Sequence, residues 1–510
     1  MSIRTLMARG ALWMVLFKAL DRSLGFVSTL ILARLLVPAD FGLVAMATSL
    51  IAFLELLTYF GLDTALLRDQ ETTRAHFDVV WTLNVLAGGL IALLMVTLSI
   101  PAAHFYHEPR VTPVICALSL GSLIQGFENV GVVNFRKEMR FDREFRYMFS
   151  RRLVAFATTV TLAITLRNYW ALVCGMLAGR VSGVGLSFIL QPFRPRLSLR
   201  SLGDLLHFSK WLMLQNVISF LKTRSSDFVV GRMSGSSALG IFSVAAEISN
   251  MPGTELVAPI NRAILPAYMN IAKDLPALRR EFLSVMSIVA LLAVPAVAGF
   301  AVCAPFMVLV LLGPKWVHAA DIIEILAFYG ITQVMQSNAY SAFLALGKPQ
   351  VFVWITSIHV AILVPLLIAL TSAHGLNGAA WAYVVSSVVI MPVDFYFITR
   401  YMGLPPLAYI SRLWRPLCGA TFMYLGVRAF GPPSPGAAPI PTLQAAHGLV
   451  TCILIGAPLY VGSMGVLWLA SGRPSQTAES WVLSSTKSAW KSALPLLSRR
   501  ILRMLGTLRS

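Results

Sequence analysis

Apolar runs of about twenty residues follow one another along almost the whole sequence, separated by short polar breaks. A run of this length, folded as an α-helix, crosses the roughly 30 Å of hydrocarbon in a lipid bilayer. Of the 510 residues, 57% are hydrophobic and 12% are charged, about half the charged fraction that is usual in soluble proteins. The sequence therefore predicts an all-α, polytopic membrane protein with about fourteen transmembrane helices.

The polar breaks place the ends of the predicted spans. The first run contains Lys18, Asp21 and Arg22 and is longer than the apolar part of a signal peptide, so we interpret it as a retained first span. The ninth contains two prolines, which predict a kink. The predicted spans are 11–34, 42–66, 79–101, 112–133, 151–167, 169–191, 207–231, 238–258, 284–312, 322–346, 350–371, 376–399, 413–430 and 446–470.

Basic residues are distributed unevenly between the two sets of breaks. With the N-terminus inside, the inner breaks and the tail contain 30 lysines and arginines. Such an excess is typical of the cytoplasmic face, so we predict that both termini are cytoplasmic. This arrangement explains most of the formal net charge of +19 without a nucleic-acid partner. The outer breaks hold six cations: Arg34, Arg110, Arg167, Arg232, Lys315 and Arg428.

The sequence also resembles itself. The segment LILARLLVPADFGLVAMAT, from Leu30, aligns without gaps on FVVGRMSGSSALGIFSVAA, from Phe228. Six predicted spans separate the two copies, so both face the same way, as in transporters built from parallel repeats. We predict two lobes of six helices each; a chance similarity between membrane helices is the alternative. The alignment pairs Arg34 with Arg232, Gly42 with Gly240, and Ala47 with Ala245.

The repeat leads to a predicted domain organisation. An N-lobe covers 1–192, a C-lobe covers 193–400, and two extra C-terminal helices lie in 401–472. The remaining residues, 473–510, combine helically spaced apolar residues with basic ones. This pattern predicts a cytoplasmic amphipathic helix on the anionic membrane surface, with a disordered basic tail as the alternative.

Polar residues within the first and seventh predicted spans lie on one helical face in both halves. The first span has Lys18, Asp21 and Arg22 on this face, and the seventh has Asn216 and Asp227. A charge at the centre of the bilayer costs about 2.5–3.5 kcal/mol, so such residues usually face a water-filled or protein-lined interior. Two facing polar stripes therefore predict a cavity between the lobes.

Cations outnumber acids within the first, sixth and seventh spans, which favours an anionic passenger over internal pairing. The alternatives are ion pairs that lock helix packing, such as Arg224 with Asp227 at i, i+3, and snorkelling to the interface. The candidate substrate-binding cations are Lys18, Arg22, Arg180 and Arg224. The candidate polar or ion-coupling residues are Asp21, Glu128, Asn129, Asn216, Asp227, Gln333, Gln336 and Asn338.

No motif indicates an enzyme or a resident cofactor. The phosphate-binding pattern Gly-x-x-x-x-Gly-Lys-Ser/Thr does not occur, and the five cysteines lie in apolar segments as small core residues. His104 and His107 near Glu108 are a weak metal candidate, and an ordinary solvated loop is the favoured interpretation. We expect neither a metal nor a cofactor, apart from coupling to a proton or sodium gradient that in-span acids would allow.

Five short motifs resemble those of a known group. They are LARLLVPADFGLVAMA (32–47), NFRKEMRF (134–141), YWALV (169–173), FRPRLSL (193–199) and LLGPKW (311–316). In this order and spacing they resemble bacterial polysaccharide-biosynthesis flippases of the exopolysaccharide and colanic-acid type, within the multidrug/oligosaccharidyl-lipid/polysaccharide exporter superfamily. The similarity runs from about Ala8 to Trp414.

The resemblance implies two six-helix lobes around a cationic cavity and a location in the bacterial inner membrane. It also implies that the protein flips an undecaprenyl-diphosphate-linked oligosaccharide to the outer leaflet by alternating access. Implied partners are this lipid-linked substrate, membrane lipids and the polymerase and glycosyltransferase machinery. Three alternatives stay open: a cation-coupled drug exporter of the same fold, a membrane glycosyltransferase or polymerase, and a non-transporting scaffold. An exporter of organic cations would favour an acidic cavity, whereas the in-span charges here are mainly basic.

Overall fold

The computed structural model describes residues 3–58, 66, 73–198, 210–435, 441–473 and 480, which form helices and turns with no strand. The thirteen longest helices in this part are α1 (Ile3–Leu35), α2 (Pro38–Thr58), α3 (Arg74–Tyr106), α4 (Val111–Gly126), α5 (Phe141–Leu166), α6 (Trp170–Leu190), α7 (Lys210–Pro252), α8 (Ala258–Ile271), α9 (Leu275–Leu311), α10 (Ala319–Ala345), α11 (Pro349–Met402), α12 (Pro406–Phe430) and α13 (Thr442–Ala470). The prediction of an all-α polytopic protein is confirmed.

Membrane-spanning length and apolarity are found in eight of the described helical segments. A ninth is present if the bent pair Val111–Gly126 and Val130–Lys137 counts as one span. Two of the eight segments contain 58 and 54 residues, more than twice the roughly 20 residues that one crossing needs. All the predicted spans overlap described helices, and their number, fourteen, stays a prediction.

The two longest helices each combine two predicted spans across a glycine. Gly235 in α7 has φ 83°, and Gly375 in α11 has φ 58°. Residues with a Cβ rarely adopt these left-handed conformations, whereas glycine does so at little steric cost. Both glycines lie in the breaks predicted from the polar residues, so the local sequence determines where these helices kink.

Several helix boundaries differ from the prediction, and two of them affect the candidate site. The span predicted at 112–133 is helical only to Gly126, and the chain then bends by 64° into Val130–Lys137. The Asn129 side chain accepts a hydrogen bond from the Gly131 amide at 2.9 Å and so caps the turn that follows the bend. The span predicted at 151–167 begins earlier, at Phe141, because acidic residues in its first turn favour a helix N-terminus.

The chain divides into two compact units. The first comprises residues 1–246, 308–322 and 356–383, and the second comprises 247–307, 323–355 and 384–510. Their division differs from that of the predicted lobes, whose boundaries stay a prediction about the repeat. The predicted amphipathic tail lies almost entirely outside the described residues.

Small residues bring the helices of the first unit close together. A Cβ on Gly88 of α3 would lie 2.8 Å from the Ser122 carbonyl oxygen of α4. A Cβ on Gly175 of α6 would lie 1.7 Å from the Thr159 hydroxyl oxygen of α5. Close packing through small residues is common between membrane helices. These two contacts fix the helix pairs that form the walls of the candidate site.

Candidate functional site

Two neighbouring cavities lie within the first unit. The larger, which we call the α1–α5–α6 cavity after the helices that line it, has a volume of about 520 Å³. The smaller, the α3–α4 cavity, has a volume of about 360 Å³ and is also lined by residues of α2 and of the turn after α4. Arg151 lines both cavities, so one guanidinium group connects them.

Arg180 is the most buried arginine at these cavities. Its side chain is 14% exposed and lies midway along α6. The guanidinium donates to the Ser122 hydroxyl of α4 at 2.9 Å and to a Glu55 carboxylate oxygen of α2 at 3.4 Å. The absence of a side chain on Gly121 makes room for it, since a Cβ there would lie 2.9 Å from Arg180 Cδ. Three helices therefore hold one cation in place.

Arg151 lies one turn after Tyr147 on α5, and both contact the same carboxylate. The Arg151 guanidinium lies 3.5 Å from Glu128 Oε2, and the Tyr147 hydroxyl donates to Glu128 Oε1. Arg152, the next residue, forms an ion pair with Asp21 of α1 at 2.9 Å. Three arginines of α5 and α6 thus line the α1–α5–α6 cavity.

The charges at these cavities come in pairs. Arg180 faces Glu55, Arg151 faces Glu128, and Arg152 faces Asp21. The formal charge on the lining residues is therefore balanced in this conformation, in contrast to the excess of cations counted along the spans. Two of the pairs, at 3.4 and 3.5 Å, are longer than the 2.7–2.9 Å usual for strong charge-assisted hydrogen bonds.

Of the four cations predicted to bind substrate, only Arg180 lines a described cavity. Lys18 and Arg22 lie exposed on α1, on either side of the cavity-lining Asp21. Arg224 forms an ion pair with Asp227 one turn along α7, at 3.0 Å. For Arg224, this ion pair is the helix-packing alternative to substrate binding that the sequence pattern left open. The roles of all four cations in substrate binding stay predictions.

The predicted polar residues lie in several places. Glu128 and Asn129 line the α3–α4 cavity, and Asn216 is half-buried on α7. In the second unit, Asn338 is buried and contacts the Tyr268 hydroxyl and the Phe282 carbonyl oxygen, while Gln333 contacts Tyr329 and Gln336 contacts the Ser387 carbonyl oxygen. Within the described residues, no group of three His, Cys, Asp or Glu side chains has the arrangement of a metal site.

Sequence reasoning missed Arg151 and Arg152 as cavity residues. Both were assigned to the inner break before the fifth span, among seven cations from Arg136 onward. In the structure α5 already begins at Phe141, which places both arginines in its third turn. Tyr147, Arg151 and Ala155 line the larger cavity, and their four-residue spacing was the available signal.

Asn129 gives a direct test of how this site is built. It is fully buried, and its amide group donates to the Phe193 carbonyl oxygen at 2.7 Å while accepting from Gly131. We expect Asn129→Ala to lower stability by about 1–3 kcal/mol, because it leaves buried backbone groups unpaired. Thermal unfolding of the purified protein in detergent measures this. Asn129→Asp keeps the acceptor for the Gly131 amide but directs an oxygen at the Phe193 carbonyl oxygen, so it should be no more stable than the alanine variant. An alanine variant as stable as the wild type would refute the assignment.

Known proteins resemble this chain in sequence and in fold. The chain is 23% identical over 425 residues to the lipopolysaccharide biosynthesis protein WzxC of Escherichia coli (strain K12), covering 82% of this chain and 86% of the relative. It is 24% identical over 426 residues to the succinoglycan biosynthesis transport protein ExoT of Rhizobium meliloti (strain 1021), covering 82% of this chain and 85% of the relative. These relatives match the chain over most of its length.

Two solved structures have the same helical architecture. The inward closed conformation of the lipid II flippase MurJ aligns with a TM-score of 0.68 at 12% identity, covering 91% of this chain and all of MurJ. An inward-facing multidrug resistance MATE family transporter of the MOP superfamily aligns with a TM-score of 0.56 at 15% identity, covering 75% of this chain and 94% of that transporter. At these identities the likeness establishes the fold.

The resemblance inferred from the five motifs is confirmed by a family model. The model described as polysaccharide biosynthesis protein matches residues 31–321, more than half of the chain. The multi-pass helical fold agrees with that of the two transporters of known structure. The chain therefore belongs to the polysaccharide biosynthesis protein family.

Proposed function

We propose that this protein flips an undecaprenyl-diphosphate-linked oligosaccharide across the bacterial inner membrane for assembly of exopolysaccharide, O-antigen or capsule. The observation that carries the proposal is the set of three arginines, Arg151, Arg152 and Arg180, on one cavity among membrane-spanning helices. Guanidinium groups bind phosphate oxygens in a bidentate manner and keep their charge when buried. The family and the names of the relatives WzxC and ExoT support a role in polysaccharide biosynthesis and transport.

In this proposal the carboxylates form ion pairs with the arginines until the substrate binds. Glu55 and Glu128 hold Arg180 and Arg151 through the two long contacts described above. A diphosphate that enters the cavity exchanges these contacts for shorter ones to its own oxygens, so the arginines bind without ever lying unpaired in a low-dielectric site. Lys18 and Arg22, exposed on α1 beside Asp21, would meet the diphosphate before it reaches the cavity.

The transport cycle would be alternating access, with the lipid tail remaining in the bilayer. Coupling to a proton or sodium gradient would act at an in-span carboxylate, such as Asp21, Glu128 or Asp227. No enzymatic step is required. We place both termini in the cytoplasm on the positive-inside distribution and expect the polymerase and glycosyltransferases of the pathway as partners.

Deletion of the gene followed by analysis of lipid-linked glycans tests the proposal. We expect surface polysaccharide to disappear and the undecaprenyl-diphosphate-linked repeat unit to accumulate on the cytosolic leaflet. Purified protein in liposomes should then make that glycan accessible to a membrane-impermeant lectin or glycosidase. Accumulation of no lipid-linked glycan, together with normal polysaccharide, would refute the proposal.

A cation-coupled drug exporter is the second candidate, because a MATE transporter shares the fold and three carboxylates line the cavities. The same deletion strain separates the two. A flippase mutant loses polysaccharide and keeps its resistance to organic cations at low drug concentration. An exporter mutant becomes drug-sensitive and keeps its polysaccharide.

The basic tail provides a further prediction. Removing residues 473–510 should leave flipping largely intact, because the cavity residues named above all lie before this segment. Flipping per molecule of inserted protein, measured for the full-length and truncated chains in the same liposomes, is the comparison. A correctly inserted truncation without activity would contradict this expectation.

A further inference from the structure

Among the described residues of the first unit, the backbones of α2 and α7 approach each other so closely that a side chain has no room between them. A Cβ added to Gly42 would lie 1.7 Å from the Ser236 carbonyl oxygen, and one added to Gly240 would lie 1.8 Å from the Pro38 carbonyl oxygen. Both obstacles are backbone atoms, which cannot rotate away as a side chain could. Only glycine at both positions permits this crossing.

The contact is reciprocal with respect to the sequence repeat. The alignment that pairs Gly42 with Gly240 also pairs Pro38 with Ser236. Each glycine therefore packs on the residue four positions before the other glycine. Interactions in which i meets j and j meets i are produced by a two-fold axis. A local pseudo-two-fold axis thus passes between the two glycines.

The two arginines paired by the same alignment make contacts that correspond at the level of the spans, with different contacted residues. Arg34, at the end of α1, donates to the Val310 carbonyl oxygen in the last turn of α9. Its repeat partner Arg232, on α7, contacts the imidazole of His107, the residue that ends α3. The third and ninth predicted spans are themselves equivalent in the repeat, so each arginine reaches the third span of the other half.

Further hydrogen bonds lie beside the contact between α2 and α7. The Ser236 hydroxyl donates to Glu108 Oε2 at 3.1 Å, and Glu108 accepts two bonds of 2.8 Å from Arg110. This bidentate guanidinium contact lowers the pKa of Glu108, so the carboxylate stays ionised. The positive-inside rule places Arg110, Arg34 and Arg232 in the outer breaks. The region therefore lies on the face predicted to be outer.

We propose that these residues form the closed outer gate of the transport cycle. The gate consists of a seam formed by Pro38, Gly42, Ser236 and Gly240. Arg34 and Arg232 belong to it through their contacts with the third span of the other half. This inference rests on the proposed function, since alternating access requires a barrier on the outer side while the site is open inward. Two backbones in direct contact leave no room for water between them. Separating them exposes few side chains, because glycine has none. The repeat lets both halves separate about one axis.

Cross-linking tests whether the seam must open. Glu108→Cys and Ser236→Cys replace two side chains that form a hydrogen bond. A short bifunctional methanethiosulfonate forms a disulfide with each thiol, releasing methanesulfinate, and this link is reducible. We expect the linked protein to flip the lipid-linked oligosaccharide about tenfold more slowly and to recover after reduction. The two single-cysteine variants, treated alike, control for the native cysteines. A linked protein that flips at the normal rate would overturn the gate.

A second experiment uses labelling and needs no substrate. Ser49 lies two turns after Gly42 on α2, is buried and contacts the Tyr106 hydroxyl. Ser49→Cys should therefore react slowly with a membrane-impermeant maleimide in intact cells. Adding Gly240→Ala or Gly240→Val should raise the labelling rate about tenfold, because the seam cannot close. Gly185→Val is the matched control, since a Cβ there meets no atom within 4 Å. Equal rates in the Gly240 and Gly185 variants would overturn the proposal.

The two experiments separate failure of the gate from failure of the proposed function. If labelling responds to Gly240 while no lipid-linked oligosaccharide moves, the gate stands and the substrate assignment falls. If deletion of the gene removes polysaccharide while neither cross-linking nor labelling responds, the flippase stands and the gate falls.

Discussion

Arg180→Ala should reduce flipping of the lipid-linked oligosaccharide by roughly 10- to 100-fold, since a hydrogen bond to a charged group contributes about 1.5–3 kcal/mol. Arg180 is the cavity arginine with the lowest exposure, where water competes least for the phosphate. The measurement is the initial flipping rate in liposomes at matched protein density. Adding Arg22→Ala should lower the rate further if that exposed cation takes part.

The packing alternative for Arg180 has a distinct signature. Removing the arginine alone also breaks its ion pair with Glu55, so part of the loss would come from the fold and not from substrate binding. The double variant Arg180→Ala with Glu55→Gln removes both charges and relieves this strain. If the arginine binds the diphosphate, the double variant stays inactive although its unfolding temperature recovers. Recovery of flipping in the double variant would assign the pair to helix packing.

Arg180→Lys is the matched charge-preserving control. Lysine keeps the positive charge but lacks the planar fork that binds two oxygens at once. We therefore expect an intermediate rate, between those of the wild type and the alanine variant. A lysine variant with full activity would show that charge alone suffices at this position.

Gly88→Val should destabilise the protein strongly and reduce the amount of folded protein in the membrane. A Cβ at this position meets the Ser122 carbonyl oxygen at 2.8 Å and Gly126 Cα at 3.1 Å, both backbone atoms of α4. Overpacking of this kind costs about 1–3 kcal/mol, and here the α3–α4 pair must move apart to relieve it. Thermal unfolding in detergent and the fraction of monodisperse protein are the readouts.

The neighbouring glycine supplies the control. A Cβ on Gly89 meets no atom within 4 Å, so Gly89→Val has the same change in helix propensity without the clash. The difference between the two variants isolates helix packing. Equal stability of the Gly88 and Gly89 variants would show that α3 and α4 are not held as closely as described.

Local properties of the sequence predicted the helices well. Apolar length depends only on consecutive residues, and the breaks that hold Gly235 and Gly375 coincide with the kinks in α7 and α11. The end of α4 was a boundary decided by a neighbouring segment. Gly126 ends α4 where its backbone packs against Asn84 of α3, a contact that the apolar pattern around residue 126 cannot reveal.

The candidate site was predicted in part. Arg180 was identified because a charge within an apolar run is costly and therefore requires a reason. Its partner Glu55 lies 125 residues earlier in the chain, and no spacing rule connects two residues so far apart. Arg151 was missed because the start of α5 decides whether it belongs to a loop or to a cavity wall.

The sequence by itself determined that this chain is a helical membrane protein, because hydrophobic length depends only on consecutive residues, and its motifs indicated the polysaccharide biosynthesis protein family. It also revealed the repeat that pairs Gly42 with Gly240. Only the tertiary structure decided that these two glycines touch and that each cavity arginine faces a carboxylate. The physical reason is distance: ion pairs and backbone crossings act over a few ångströms, and helix packing alone brings such distant residues that close.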